Sequence, residues 1–268
     1  MKIALIGCGS IGTFIADAIN ENKIDVELKY VYDIDVKKGK EFAKRFHTEY
    51  RNFDEILKED LDLIIEAASQ EAVRILIPKA LKEKKNVMIM STGALVDEHL
   101  LQEIKELAEK NKLKVYLPSG AIVGLDGIKS ASIEEIENVT LKTTKAPKSL
   151  EGAPFFEKHR VNLNEIKRPT ILYEGSAKEA VKLFPSNVNV AASLSLAGIG
   201  PKKTKVQIIA DPNIESNVHE IIAEGKFGVL KTRVENVPSP DNPKTSYLAA
   251  LSAIATLKKI TEPIQIGT

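Results

Sequence analysis

A glycine-rich turn between a predicted strand and a predicted helix is the feature that most constrains how this chain folds. Residues 2–6 form an apolar run of strand length, and residues 13–19 follow a helical pattern. The sequence Gly-Cys-Gly-Ser-Ile-Gly joins them at residues 7–12. In a dinucleotide-binding turn the first glycine permits the tight bend, the second admits the backbone to the phosphates, and the third lets helix and strand pack closely. We therefore predict that the pyrophosphate of a dinucleotide binds at Gly7, Gly9, Ser10, Ile11 and Gly12.

The next predicted strand supplies an acidic residue at the position where such folds bind ribose. Residues 26–32 alternate and end at Asp33, about 20 residues after Gly12. A carboxylate there accepts hydrogen bonds from both ribose hydroxyls and repels a 2′-phosphate, which favours NAD. The alternative is that Asp33 only caps the helix that starts near Val36. Because Lys37 and Lys38 follow closely, the predicted cofactor is NAD or NADP.

Strands and helices continue to alternate through the first half of the chain. Further strands are predicted at residues 61–68, 86–90 and 113–117, with helices between them. This order is typical of an α/β fold, and it predicts an N-terminal Rossmann domain with a doubly wound parallel sheet at residues 1–118. Ser69 follows the third strand, at the sheet edge where ligands bind in such folds. It is predicted to contact the cofactor or, equally, to cap the next helix.

From Pro118 onwards the pattern changes to strands without regular helices between them. Residues 119–243 are predicted to form an α+β domain with an open mixed sheet, which serves substrate binding and dimerisation. A last helix, predicted at residues 245–258 within a segment 244–268, is expected to pack back on the first domain.

Composition excludes several other classes of protein. The chain has 38 basic and 37 acidic residues, so no strong field favours nucleic acid. Cys8 is the only cysteine, which excludes an internal disulfide and a cysteine-based metal site, and no cluster has metal-ligand spacing. The apolar start carries Lys2 and is broken by glycines, so a signal peptide or membrane span is not expected. We expect a cytoplasmic protein without a bound metal.

The second half contains the candidates for chemistry. If residues 216–223 form a strand, Asn217 and His219 share one face. A neutral imidazole suits proton transfer at physiological pH, although a structural histidine is the alternative. Asn187 and Asn189 precede a small-residue helix, where they bind a ligand or cap the helix. The cations available for a substrate carboxylate are Lys202, Lys203, Arg233 and Lys244, the last placed at a predicted helix start.

Six segments taken in order resemble the L-aspartate dehydrogenase family, and together they span nearly the whole chain. They are the glycine turn and residues 90–95, 119–122, 184–192, 211–219 and 242–246. The resemblance implies that His219 is the active-site histidine. It also implies NAD contacts by Ala121 and Asn189, with Asn187 as the neighbouring candidate for the second contact.

The reaction implied by this resemblance is NAD(P)-dependent oxidative deamination of L-aspartate to iminoaspartate. The imine hydrolyses to oxaloacetate and ammonia or passes on to quinolinate synthesis and NAD biosynthesis. The α-amine must be neutral before hydride leaves, so His219 would take that proton or activate the hydrolytic water. A homodimer is expected. The alternatives are a homoserine dehydrogenase or dihydrodipicolinate reductase relative, and a non-catalytic sensor of NAD(P).

Overall fold

The computed structural model describes residues 1–185, 189–239 and 242–267, with the backbone alone for residues 242–244. The chain divides into two compact units. The first unit consists of Met1–Pro118 and Ala250–Ile266, and the second consists mainly of Ser119–Ala249. The first unit is therefore built from two separate stretches of chain.

The first unit alternates strands and helices as the sequence predicts. In chain order its elements are β1 (Lys2–Ile6), α1 (Ser10–Asn20), β2 (Glu27–Tyr32), α2 (Val36–Arg45), β3 (Glu49–Tyr50), α3 (Phe53–Ile56), β4 (Leu63–Glu66), α4 (Gln70–Lys82), β5 (Asn86–Ile89), α5 (Glu98–Asn111) and β6 (Val115–Tyr116). The six strands form one parallel sheet in the order β3-β2-β1-β4-β5-β6. The order runs outward in both directions from β1, so the doubly wound Rossmann fold is confirmed.

Apolar side chains from the central strands and the helices form the core of this unit. Ile3 and Leu5 of β1 are fully buried beside Leu63 and Ile65 of β4. Such continuous burial explains why these strands appear in the sequence as apolar runs rather than alternating patterns. The same core includes two residues from the end of the chain, Ala253 and Leu257, both fully buried.

The second unit is built on a mixed sheet, as predicted. Its elements are α6 (Leu125–Ala131), β7 (Ile136–Lys145), α7 (Phe155–Lys158), β8 (Thr170–Ser176), α8 (Ala177–Leu183), α9 (Asn189–Ala197), β9 (Lys205–Ala210), β10 (Asn217–Gly225), β11 (Gly228–Asn236), β12 (Pro238–Ser239) and β13 (Asn242–Ser246). Five strands are ordered β11-β10-β7-β9-β8, and only β7 and β9 run parallel. β10 confirms the predicted strand that carries Asn217 and His219.

The predicted start of the last helix is wrong. Residues 242–246 form β13, which pairs antiparallel with β12, and helix α10 (Tyr247–Thr261) begins only afterwards. A proline biases the residue before it towards extended backbone, so Asn242 before Pro243 favours a strand. The nearby partner strand β12 then completes the hairpin. Lys244 therefore lies on a strand and not at a helix start.

Among the described residues, no helix has both the length and the apolar character needed to cross a membrane.

Candidate functional site

The glycine turn combines two glycines that the fold requires with one that faces open space. Gly7 has φ +98°, and a Cβ placed on it would lie 2.5 Å from the carbonyl oxygen of Ala67. A Cβ on Gly12 would lie 2.2 Å from the carbonyl oxygen of Gly7. A Cβ on Gly9 would meet no protein atom within 4 Å, and Gly9 is the N-cap of α1. The turn thus leaves space beside the N–H groups at the start of a helix, which fits a dinucleotide pyrophosphate.

Asp33 ties the end of β2 to this turn. Its Oδ2 accepts a hydrogen bond of 2.8 Å from the backbone N–H of Cys8, and its Oδ1 accepts one of 3.0 Å from the N–H of Asp35. The ammonium of Lys38 lies 3.6 Å from Oδ2. The alternative that Asp33 caps α2 is wrong, because Asp35 accepts from the N–H groups of Lys37 and Lys38. Asp33 therefore stands where a ribose-binding acid is expected, with a cation beside it.

We expect Asp33→Asn to shift the preference of the protein towards NADP. The amide oxygen retains an acceptor for Cys8 N–H, while loss of the negative charge leaves Lys38 to attract a 2′-phosphate. The NADH dissociation constant divided by that of NADPH, with both measured by fluorescence, should rise. Asp35→Asn is the control, since it removes the same charge two residues away. An unchanged ratio in Asp33→Asn would remove Asp33 from the ribose site.

Cys8 is a packing residue of the same turn. It is 5% exposed, and burial together with the nearby Asp33 raises the pKa of its thiol to about 12. The thiol is therefore protonated at physiological pH and is a poor nucleophile.

Glu66 is a fully buried carboxylate at the carboxyl end of β4 that the sequence analysis missed. It accepts hydrogen bonds from the N–H groups of Ala68, Ser69 and Ser91, at 2.8, 2.9 and 3.0 Å, and from the Ser91 hydroxyl at 2.8 Å. Burial raises the pKa of this carboxyl, and its hydrogen bonds oppose that shift. Glu66 thus joins the ends of β4 and β5 at the ligand-binding edge of the sheet.

Ser69 lies directly beside this carboxylate and caps α4. Its Oγ accepts a hydrogen bond of 3.1 Å from the N–H of Ala72. The capping alternative is therefore confirmed. Contact with the cofactor stays a prediction, supported by the position of Ser69 at the carboxyl edge of the parallel sheet.

The second unit places His219 in a buried polar pair. Its Nδ1 lies 3.0 Å from Oγ1 of Thr143, which stands directly opposite it on β7. His219 is 2% exposed. Burial and the charge of Lys145 lower the pKa of its imidazole to about 3. The imidazole is therefore neutral at physiological pH, and Thr143 orients it.

Lys145 is the second ionisable group in this part of the sheet. It follows Thr143 by two residues on β7 and is 3% exposed. Burial lowers the pKa of its ammonium to about 8. Neither Thr143 nor Lys145 was among the predicted site residues, since both lie at the end of a strand whose partners the sequence does not specify. The available signal was a lysine at a position where the alternation predicts burial.

Two asparagines extend the polar cluster along the same face. Asn217 donates from Nδ2 to Oγ of Ser246 at 3.3 Å. Asn236 lies opposite Asn217 on β11 and donates from Nδ2 to the carbonyl oxygen of Ala121 at 3.0 Å. Oδ1 of Asn236 is buried and has no hydrogen-bond partner among the described residues. A buried acceptor of this kind is costly unless a donor satisfies it.

Two of the remaining predicted residues, Ala121 and Asn189, lie on segments close to this polar cluster or to each other. Ala121 is held by Asn236, and Asn189 begins α9. Gly120 adjoins the start of that helix, since a Cβ on it would lie 3.6 Å from Cγ1 of Val190. The structure therefore brings the predicted NAD contacts Ala121 and Asn189 to neighbouring segments of the second unit.

The five other predicted residues have different outcomes. Asn187 and the side chain of Lys244 lie outside the described residues. Arg233 stands opposite Glu220, and its guanidinium forms ion pairs with Glu220 and Glu235 at 3.0 and 2.9 Å on the other face of the sheet from His219. Lys202 and Lys203 are exposed in the turn before β9. Arg233 is thus turned away from the histidine.

No group of three or more His, Cys, Asp or Glu residues in the described part of the chain is arranged to hold a metal ion. The described chemistry of the site consists of one imidazole, one ammonium, hydroxyls and amides.

The fold is that of a dehydrogenase that uses a nicotinamide dinucleotide, with a second unit that contains the buried polar cluster around His219. Residues 7–118 match the family model described as "Homoserine dehydrogenase, NAD binding domain". Residues 126–260, about half of the chain, match the model described as "Aspartate dehydrogenase, C-terminal". The chain belongs to the L-aspartate dehydrogenase family.

Relatives over the full length agree with this family. The chain is 54% identical to an L-aspartate dehydrogenase of Methanosarcina barkeri, over 100% of both chains. It is 48% identical to one of Nitrosopumilus maritimus, over 100% of this chain and 99% of the relative. The crystal structure of aspartate dehydrogenase from Thermotoga maritima aligns with a TM-score of 0.77 at 30% identity, covering 100% of this chain and 99% of that one. The predicted family resemblance is confirmed.

Proposed function

We propose that this protein oxidises L-aspartate to iminoaspartate with NAD or NADP, and that the imine hydrolyses to oxaloacetate and ammonia. The observation that carries the proposal is the buried pair of His219 and Thr143, with the Lys145 ammonium beside it, in the part of the chain that matches the aspartate dehydrogenase model. Relatives named L-aspartate dehydrogenase at 43–54% identity support the choice of substrate.

The bound nicotinamide would accept the hydride that leaves Cα of the substrate. The task of the protein is to supply a neutral α-amine, because an ammonium nitrogen has no lone pair to stabilise the developing positive charge. When Nδ1–H of His219 donates to Thr143 Oγ1, Nε2 presents a free lone pair. We propose that Nε2 takes a proton from the substrate ammonium and releases it to solvent, and that the neutral imidazole then takes a proton from the water that attacks the imine.

On the cofactor side, we propose that the glycine turn holds the pyrophosphate and that Asp33 binds the ribose. Ser69, Ala121, Asn189 and Asn187 are the further proposed contacts. Gly9 supports this assignment because it faces open space at the start of α1. The amide of Asn217 and the Lys244 side chain are proposed substrate contacts, and Asn217 adjoins His219 on the buried face of β10.

The deciding assay follows nicotinamide absorbance in both directions. L-aspartate with NAD or NADP should reduce the cofactor, and oxaloacetate with ammonia should oxidise NADH or NADPH. Parallel reactions with homoserine and with dihydrodipicolinate test whether this protein instead has the activity of a homoserine dehydrogenase or a dihydrodipicolinate reductase. Binding of NADH without turnover of any substrate would instead indicate a sensor, and would contradict the proposed activity.

We propose that the imine product feeds NAD biosynthesis by hand-off to quinolinate synthesis. The chemistry supports rapid consumption, since a free imine hydrolyses in water. If the hand-off occurs, adding the consuming enzyme should lower the yield of oxaloacetate per NADH formed. A constant yield would contradict it.

We also propose a homodimer formed through the open sheet face of the second unit. On the edge strands of that sheet, Ile171 and Val229 are 54% and 59% exposed, although both are large and apolar. Patches of this kind commonly mark interfaces. Sedimentation equilibrium measures the assembly directly, and a monomer at micromolar concentration would contradict the proposal.

A further inference from the structure

The buried face of the second unit's sheet is apolar for most of its length and ends in polar groups. Along β7 every second residue is buried, in the order Val139, Leu141, Thr143 and Lys145. The face therefore ends in a hydroxyl followed by an ammonium. On the neighbouring strand, His219 lies directly opposite Thr143, so Lys145 is its diagonal neighbour. This placement brings a cation and a neutral imidazole together at the end of an apolar surface.

Burial makes the charge of Lys145 costly. The pKa of its ammonium falls from 10.5 to about 8 because the group is removed from water, so its surroundings favour the charged form less than water does. The same positive charge contributes to the lowered pKa of His219, which shows that the two groups interact. An anion bound beside Lys145 would offset both effects.

We propose that Lys145 binds a carboxylate of the substrate beside His219. The inference rests on the proposed function, since it gives a role to a buried cation only if the substrate is an anionic amino acid. Carboxylate and ammonium form a charge-assisted hydrogen bond that is strong away from water. Arg233 cannot fulfil this role from the opposite face, where Glu220 and Glu235 engage it.

This arrangement couples substrate binding to the basicity of the histidine. Before the substrate binds, the charge of Lys145 helps to keep His219 a weak proton acceptor. A bound carboxylate compensates that charge, and His219 becomes a better base when the substrate amine is in place. The neutral hydroxyl of Thr143 has no comparable effect, although it fixes the ring.

The test compares Lys145→Met with the wild-type protein. We expect KM for L-aspartate to rise roughly 10- to 100-fold, as for loss of a hydrogen bond to a charged group. NADH binding and the thermal midpoint should be maintained, because methionine fills a similar apolar volume without a buried charge. Lys142→Met is the matched control, since Lys142 is on the same strand but points to the other face. It should leave KM unchanged.

A second substrate analogue identifies which carboxylate is bound. L-asparagine retains the α-carboxylate and replaces the other with an amide, so it is measured as a competitive inhibitor. If Lys145 binds the side-chain carboxylate, Lys145→Met should raise KM for L-aspartate and leave the inhibition constant of L-asparagine unchanged. If Lys145 binds the α-carboxylate, KM for L-aspartate and the inhibition constant of L-asparagine should rise by the same factor. Either result supports the proposal.

Two results would contradict the proposed role of Lys145. An unchanged KM for L-aspartate, or a loss confined to kcat, would overturn the assignment of Lys145 to substrate binding. Lys145→Gln provides the same readout if Lys145→Met is recovered in poor yield, and Lys145→Arg should recover part of the affinity. Failure of the wild-type protein to oxidise L-aspartate would contradict the proposed function instead, so the two failures are distinguishable.

Discussion

Replacement of His219 by alanine should abolish most turnover of L-aspartate and leave NADH binding nearly intact. The imidazole is the only buried base in the described part of the second unit that is neutral at physiological pH. Loss of a positioned acid–base group costs about 10²- to 10⁴-fold in rate. We therefore expect a fall of that size in kcat/KM, measured by nicotinamide absorbance. His47→Ala is the control, since His47 lies at the end of α2 in the first unit.

The His219→Ala variant also tests whether the imidazole is buried, through a measurement of stability that does not depend on enzyme activity. The pKa of His219 is about 3 in the folded protein against an ordinary value of 6.5, so between these values the unfolded chain binds the extra proton. The contribution of neutral His219 to folding stability is therefore complete above about pH 6.5 and is lost as the pH falls towards about 3, by roughly 5 kcal/mol at most. The thermal midpoint of wild type should fall more steeply with acid than that of His219→Ala. Equal slopes, with turnover retained, would show that His219 is neither buried as described nor catalytic.

Alanine at Gly12 should disrupt the first unit, whereas alanine at Gly9 should leave it folded. A Cβ on Gly12 would lie 2.2 Å from the Gly7 carbonyl oxygen, which is backbone and cannot move aside cheaply. We expect a loss of several kcal/mol in the free energy of unfolding, visible as a lower thermal midpoint. A Cβ on Gly9 meets no protein atom within 4 Å, so the thermal midpoint should not change.

The informative difference between the two variants is in cofactor binding. A methyl group on Gly9 occupies the space through which phosphates approach the N–H groups of α1. NADH affinity of Gly9→Ala should fall by about tenfold or more, equivalent to one hydrogen bond to a charged group. Fluorescence titration with NADH measures this. Unchanged affinity in a fully folded Gly9→Ala would place the pyrophosphate elsewhere.

The sequence predicted the first unit well because its signals are local. The apolar run at residues 2–6 and the glycines after it have few other structural uses, and strands buried on both faces appear as such runs. The strand that carries His219 entered the prediction only as a condition, because residues 217–223 do not alternate regularly between apolar and polar side chains, and β10 confirms it. The prediction that this histidine is catalytic rests on the family resemblance rather than on the pattern.

The residues around that histidine were less predictable because partner strands decide their environment. Thr143 and Lys145 have ordinary sequence surroundings, and only the pairing of β7 with β10 places them beside His219. Glu66 ends an apolar strand, and its partners come from two separate loops. The helix start predicted near Thr245 failed likewise, since β12 supplies a tertiary partner that local propensity does not include.

The division of the first unit into two stretches of chain has a consequence for the order of events during synthesis. Domains commonly fold as they emerge from the ribosome, with the N-terminal part first. Here Ala253 and Leu257 belong to the same core as Ile3 and Leu5, so that core cannot close until these two residues have been synthesised. The residues of the second unit emerge earlier as a nearly continuous segment. A nascent chain arrested before residue 250 should therefore present an incomplete core of the first unit to chaperones.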